Sequence, residues 1–249
     1  PQLRRRVTAV IEDFDRIWSR FREDSVVTHL AASSAAGAVP EMRADGPAMF
    51  ALYDALDHAT GGAVNPLVGE SLARRGYDAR YGLTDRGPQP ARADWRNVVA
   101  TRGADVEVAA PVSIDVGALG KGRLVDLVAG ELATHGWRGT VDAGGDIRVT
   151  GHAERVALEH PYDSTRAIGV WPLASGALCA SAINRRVWGD GLHHVLDART
   201  GQPVRTIAAT WAAASEAMTA DAVATALFFD GGVDLATRLG APWVRMTTS

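Results

Sequence analysis

Apolar residues in the opening stretch fall at Val7, Val10, Ile11, Phe14, Ile17, Trp18 and Phe21, with Arg, Asp and Glu between them. That spacing predicts an amphipathic helix. A second helix is expected from Pro47 to Ala59, with proline at its start and Gly61-Gly62 just beyond its end. Between Gly76 and Pro111 the periodicity fades, and Arg86-Gly87-Pro88-Gln89-Pro90 punctuates the chain. This reads as a long surface excursion with one or two short strands rather than a linker between domains. Downstream, Val112–Val116 reads as a strand and Gly117–Gly122 as a tight glycine loop. A helix follows, with Leu124, Leu127, Val128 and Leu132 on one face and Gly136 past its end. Short alternating segments recur at Thr140–Asp142, Asp146–Thr150, Val156–Glu159, Ala167–Trp171, Ala177–Ser181, His194–Asp197 and Thr206–Trp211. A helix from Met218 to Phe229 and a strand from Trp243 to Met246 complete the pattern. Strands that neighbour in sequence and are joined by short turns favour antiparallel sheets with packed helices, an α+β fold. The whole of 1–249 is expected to be a single domain.

Composition narrows the field. Of 249 residues, 47% are apolar and 22% charged, as in ordinary folded chains. A net charge of −3 and a pI of about 6.2 give no general attraction to nucleic acid or anionic membranes. No apolar run approaches the roughly 20 residues that span a bilayer. Cys179 stands alone, which excludes an intrachain disulfide framework and any cysteine-rich metal site. The chain opens on Pro1, so the natural N-terminus is expected upstream, with room for a signal or a lipid-anchor cysteine. The chain alone reads as cytoplasmic. A removed leader would make the protein extracytoplasmic and anchored to the membrane.

Familiar catalytic signatures are missing. H-E-x-x-H, C-x-x-C, G-x-S-x-G and the Rossmann G-x-G-x-x-G do not occur, and Gly120-Lys121-Gly122 lacks the Ser or Thr of a P-loop. Four constellations carry chemistry, each with a plainer alternative. Asp115 leads into the glycine loop, where free N–H groups, a helix dipole and Lys121 favour an anion; a tight turn beside a solvated lysine is the alternative. Asp142-Ala143-Gly144-Gly145-Asp146 reads as a hairpin turn, with Asp146 as a polar anchor near a ligand on the functional reading. Asp221 and Thr225, at i and i+4, project oxygens on one helix face and suit Mg²⁺; alternatively Asp221 favours the helix start, with Thr219 as cap. His193 and His194 precede a turn, and strand alternation lets one of them face a cleft as a general base.

In order along the chain, these segments resemble the ApbE family, the FAD:protein FMN transferases. The resemblance rests on Phe21-Arg22-Glu23-Asp24-Ser25, Thr60-Gly61-Gly62-Ala63-Val64-Asn65-Pro66 and Ile114-Asp115-Val116-Gly117-Ala118-Leu119-Gly120-Lys121-Gly122. It continues through Ala143-Gly144-Gly145-Asp146-Ile147, His194-Val195-Leu196-Asp197-Ala198-Arg199-Thr200-Gly201 and Ala220-Asp221-Ala222-Val223-Ala224-Thr225-Ala226-Leu227. It implies an architecture related to tunnelling-fold sheets, with FAD bound in a cleft and Mg²⁺ on its pyrophosphate. FMN would pass to a Thr or Ser hydroxyl of a target flavoprotein, and AMP would be released. By position, metal contacts fall on the Ala118 carbonyl, Asp221, Thr225 and the Ala224 backbone. FAD contacts fall on Phe21, Ala63, Val64, Asn65, Asp115, Lys121, Asp146 and Leu196. His194 matches the family's catalytic histidine, and Asp221 is catalytic through the metal.

Departures from the family pattern are specific. Its Met-Gly-Thr opening is absent. Its Leu-Asn reads Leu30-Ala31, its Gly-x-Phe-Asp reads Gly62-Ala63-Val64-Asn65, its Thr-Ser-Gly reads Ala180-Ser181-Ala182 and its Asp-Pro reads Asp197-Ala198. Metal and phosphate residues are kept, while the flavin pocket has changed. Three functions use the same residues: transfer of FMN to a protein, hydrolysis of FAD to FMN and AMP, and FAD binding without catalysis. The partners implied are FAD and the target subunit, with no nucleic acid, and a membrane only through an upstream anchor.

Overall fold

The computed structural model describes residues 2–33 and 36–248. In chain order the elements begin with α1 (Gln2–Trp18), α2 (Val26–Ala32), β1 (Gly37–Ala38), α3 (Gly46–Thr60), α4 (Gly69–Arg74), α5 (Trp95–Val98), β2 (Val99–Arg102) and β3 (Asp105–Val108). Then come α6 (Gly120–Thr134), β4 (Gly139–Asp142), β5 (Asp146–Thr150), β6 (Glu154–His160), β7 (Asp163–Leu173) and β8 (Gly176–Ala182). The chain closes with β9 (Val187–Trp188), β10 (Leu192–His193), β11 (Leu196–Asp197), β12 (Gln202–Pro203), β13 (Ile207–Ala214), α7 (Ala217–Ala226), α8 (Gly232–Arg238) and β14 (Trp243–Thr247). No helix among the described residues is long and apolar enough to cross a membrane. The chain divides into two compact units: Pro1–Ile11, Gly117–Val187 and Val204–Ser249 form one, and Glu12–Val116 with Trp188–Pro203 the other.

The first unit is built on an antiparallel sheet of order β14-β13-β8-β5-β4. Strand alternation sorts its side chains. Leu178, Ala209, Trp211 and Ala213 face one side, where they pack with Leu158 and Leu173 of the β6–β7 ribbon. Ala177, Cys179 and Ala212 face the other, against α6, α7 and α8. Helix α7 is nearly all small side chains, and Ala217, Ala220, Ala222, Ala224 and Ala226 are all fully buried. Small residues let it lie close on the sheet, and Thr210 of β13 donates to the Ala224 carbonyl at 2.6 Å.

The second unit packs α3 against the small sheet β1-β3-β2, with Met49, Phe50, Tyr53, Leu56, Val106 and Val108 buried. Trp18, at the end of α1, meets the Phe50 ring edge-on. Helix α3 stops at Gly61, whose φ of +60° is the left-handed cap expected at this Gly-Gly pair.

Most of the expected elements are present, and four readings need correction. Val112–Val116 pairs with no strand; Val112 and Ile114 are buried, and Asp115 N donates a backbone bond to Pro66 O at 2.8 Å. Burial without a ladder imitated a strand. The glycine loop is shorter than read, because α6 begins at Gly120 and takes Lys121 and Gly122 into its first turn. Its buried face runs through Gly122, Val125, Val128 and Leu132, which leaves Leu124 and Leu127 at the margin. Helix α7 ends at Ala226, where Phe228 and Phe229 amides fold back onto the Thr225 and Ala226 carbonyls.

Candidate active site

The first unit gathers Ala118, Lys121, Asp146, Asp221, Ala224 and Thr225 around the contact of α6 with α7. Gly122 N donates to Asp221 Oδ2 at 2.9 Å. The amide expected to await an anion is therefore already taken, by a carboxyl group of the chain itself. Thr225 Oγ1 donates to the Ala118 carbonyl at 3.2 Å, so these two expected metal contacts are adjacent. The Ala224 carbonyl accepts the Thr210 hydroxyl.

Lys121 reaches Asp146, with Nζ 2.9 Å from Oδ2. Asp146 starts β5 after the hairpin turn read from its glycines. Asp142 Oδ1 accepts the Gly144 and Gly145 amides there, and both glycines have positive φ. Asp146 is fully buried, yet neither of its oxygens completes a well-aligned hydrogen bond among the described residues. Burial raises the pKa of Asp146 against the pull of Lys121. Burial, reinforced by the Asp146 charge, raises that of Asp221 well above the ordinary carboxylate range, opposed by Lys121 and the Gly122 amide. Burial works against the Lys121 ammonium, but Asp146 and Asp221 hold its pKa above the ordinary value.

Lys121 thus pairs with one of two buried carboxyls and acts on the other through its charge. Fully ionised, this set would carry more negative than positive charge, and the raised carboxyl pKa values together with the unmet oxygen capacity of Asp146 are what a bound cation would relieve. No three His, Cys, Asp or Glu side chains among the described residues form a closed metal cage. One carboxylate, one hydroxyl and one carbonyl instead suit Mg²⁺, which fills its octahedron with water and phosphate oxygens.

The start of α7 is not capped as expected. Thr219, the expected cap, lies inside the first turn; the capping position is Glu216, which forms no side-chain cap, and Asp221 lies a turn further on. Asp126 of α6 accepts the Ala217 and Met218 amides, each at 2.9 Å, and pairs with Arg148 of β5. The sequence offered no local signal for this cap, because its side chain comes from another helix.

In the second unit, Phe21 lies in an aromatic array. Its ring stacks on Tyr81 at 5.4 Å and meets Tyr77 edge-on at 5.2 Å, and Tyr77 stacks on Trp188. Arg20 covers the Phe21 ring at 4.2 Å, pairs with Asp115 and donates to the Tyr77 carbonyl. Tyr53 donates to the Asp115 carbonyl at 2.9 Å. Tyr81 and Leu83 have φ near +50° while exposed, an uncommon backbone state for such residues. Of this group, sequence reasoning singled out Phe21 and Asp115 but not Arg20, Tyr77, Tyr81 or Trp188.

Ala63, Val64 and Asn65 are buried, and the Asn65 amide is spent internally on the Arg92 carbonyl and the Leu67 amide. Leu196 packs in a core with Leu72, Tyr77, Trp188 and Leu192. Ala198 N donates to the Ala63 carbonyl at 3.0 Å. Proline at this position could not make that bond. His194 lies on a bend between β10 and β11, so strand alternation does not govern it; His193 is buried and His194 half-buried.

Solved structures share this arrangement of helices and antiparallel sheet. The ApbE protein of Thermotoga maritima is 26% identical, with 98% of this chain and 86% of that one covered and a TM-score of 0.78. The apo flavinyl transferase ApbE of Pseudomonas stutzeri, at 22% identity, covers 99% and 83% with a TM-score of 0.79. The flavin transferase ApbE of Vibrio cholerae, at 20% identity, covers 100% and 85% with a TM-score of 0.78. The fold is therefore the ApbE fold. The sequence matches the ApbE family over residues 2–241, and the chain belongs to that family. A Rhodobacter capsulatus protein named FAD:protein FMN transferase is 33% identical over 132 residues, 49% of this chain and 25% of that one. The chain thus spans a quarter of that relative's length.

Proposed function

We propose that this protein transfers FMN from FAD to a Thr or Ser hydroxyl of a target flavoprotein, with Mg²⁺, and releases AMP. The observation that carries the reading is the pair of buried carboxyls, Asp146 and Asp221, with the half-buried Lys121 on Asp146, on the same helix pair as the Thr225 hydroxyl and the Ala118 carbonyl. Family membership gives it a substrate. Asp221, Thr225 and the Ala118 carbonyl hold the metal, with the Ala224 backbone beside them. Bound there, Mg²⁺ supplies charge neutralisation on the pyrophosphate. Lys121 adds an ammonium for the same phosphates, and Asp146 fixes its position. Phe21, Ala63, Val64, Asn65, Asp115 and Leu196 are the residues assigned to FAD.

In the transfer, the acceptor hydroxyl oxygen bonds to the phosphorus of the FMN half, and the bond from that phosphorus to the AMP phosphate oxygen breaks. His194 takes the hydroxyl proton. No residue of this chain becomes covalently modified.

The test is incubation with FAD and Mg²⁺, with and without a bacterial flavoprotein subunit, followed by mass spectrometry and AMP assay. FMN in phosphoester linkage on the subunit, with AMP in equal amount, supports the proposal. Free FMN with an unmodified subunit means hydrolysis, and FAD bound without AMP means a binding protein. Asp221→Ala should abolish transfer while leaving the fold intact; full activity of that variant at limiting Mg²⁺ would remove Asp221 from the site.

A further inference from the structure

The α6–α7 contact is a ladder with a regular step. Ala118, Gly122 and Asp126 are each four residues apart, and they meet Thr225, Asp221 and the Ala217–Met218 amides respectively. Gly122 and Asp126 lie about one turn apart on α6, Ala118 lies in the turn just before it, and the matching positions on α7 descend in number, so the two helices run in opposite directions. The outer two rungs differ in kind. At one end lies the pair assigned to the metal, and at the other lies Asp126, a carboxylate with 8% of its side chain exposed and Arg148 as counter-charge.

Helix α7 needs such a device. Five of its eight buried residues are alanine, so much of its face presents shallow ridges, and packing there resists sliding along the helix axis only weakly. The Asp126 carboxylate holds two orphan amides at the positive end of the helix and so fixes both its start and its axial position. We propose that Asp126, backed by Arg148, is a positioning residue that sets the register of α7 and thereby the placement of Asp221 and Thr225 for the cation. This inference rests on the metal role proposed above, and it adds a residue that touches neither metal nor substrate.

The experiment measures Mn²⁺ binding by electron paramagnetic resonance on the full chain, and backbone hydrogen exchange over residues 217–226. Wild type is compared with Asp126→Ala, Asp126→Asn and Arg148→Leu. Asp126→Ala should weaken Mn²⁺ at least about fivefold, the equilibrium factor that a lost cap carries, and should speed exchange at the Asp221 and Thr225 amides. Asp126→Asn, which keeps one acceptor oxygen, should recover part of both effects, and Arg148→Leu should show a smaller loss. Should Asp126→Ala fail to fold, the other two variants carry the comparison. Unchanged Mn²⁺ affinity in folded variants would reduce Asp126 to a stabilising cap and overturn the inference. A wild type that binds no Mn²⁺, while Asp126→Ala still speeds exchange, would instead overturn the metal reading and this inference with it.

Discussion

Gly122 donates its amide to the buried carboxylate of Asp221, and only a glycine fits there. A Cβ at position 122 would lie 2.2 Å from the Ala217 carbonyl oxygen and 2.8 Å from the Asp221 Cβ. Gly122→Ala should therefore push α6 and α7 apart and cost about 1–3 kcal/mol, as overpacked cores do. Urea unfolding of the purified variant gives the measurement; unchanged stability would mean that the helices adjust freely.

Arg20 and Asp115 form a second buried pair, with 9% and 11% of their side chains exposed. Arg20→Met should take the guanidinium away from the buried Asp115 carboxylate and destabilise the fold by about 3–5 kcal/mol. The double variant Arg20→Met/Asp115→Asn should recover much of that loss. Denaturant midpoints of the singles and the double form the cycle, and additive losses would show that the two side chains do not act as a pair.

The Cys179 thiol is fully buried, and burial, with the nearby Asp146 and Asp221 charges, pushes its pKa well above the ordinary value. A raised thiol pKa leaves little thiolate at pH 8. The native protein should not react with a colorimetric disulfide reagent at that pH and should release one equivalent on denaturation. Rapid native labelling would show that the sheet and helix open at Cys179.

His194→Ala should lower FMN transfer by about 10²–10⁴, the usual worth of a general base, with little change in FAD affinity. His193 is buried, so His193→Ala should lower stability more than turnover. A fully active His194→Ala beside an inactive, folded His193→Ala would exchange their roles.

Much of the fold was legible because its signals are local. Helix α6 is bracketed by Gly120 and Gly136, α3 by Pro47 and Gly61, and the β4–β5 turn by Asp142 and its glycines. Helices α2, α4, α5 and α8 were not, since a few residues without a full amphipathic period leave no pattern to read. The candidate site was half legible. Spacing singled out Asp221 and Thr225 on one helix and the turn singled out Asp146, but only the family resemblance chose a ligand-binding reading over the plainer one. Asp126, Arg148 and Arg20 were missed because their importance lies in partners more than 20 residues distant in sequence. Val112–Val116 misled for the opposite reason: buried apolar side chains say nothing about whether the backbone has a neighbour to pair with.

The two units are interleaved along the chain, and this imposes an order on biosynthesis. Emerging from the ribosome, Glu12–Val116 must wait for Trp188–Pro203 before its unit has all its parts. The other unit begins earlier and finishes later, because β13, α7 and β14 lie beyond residue 203. Strands β4, β5 and β8 are therefore translated with the β8 edge still lacking its β13 neighbour. Until β13 arrives, that edge offers free backbone groups to any extended chain nearby, so the nascent protein is most open to mispairing just before Ile207–Ala214 appears.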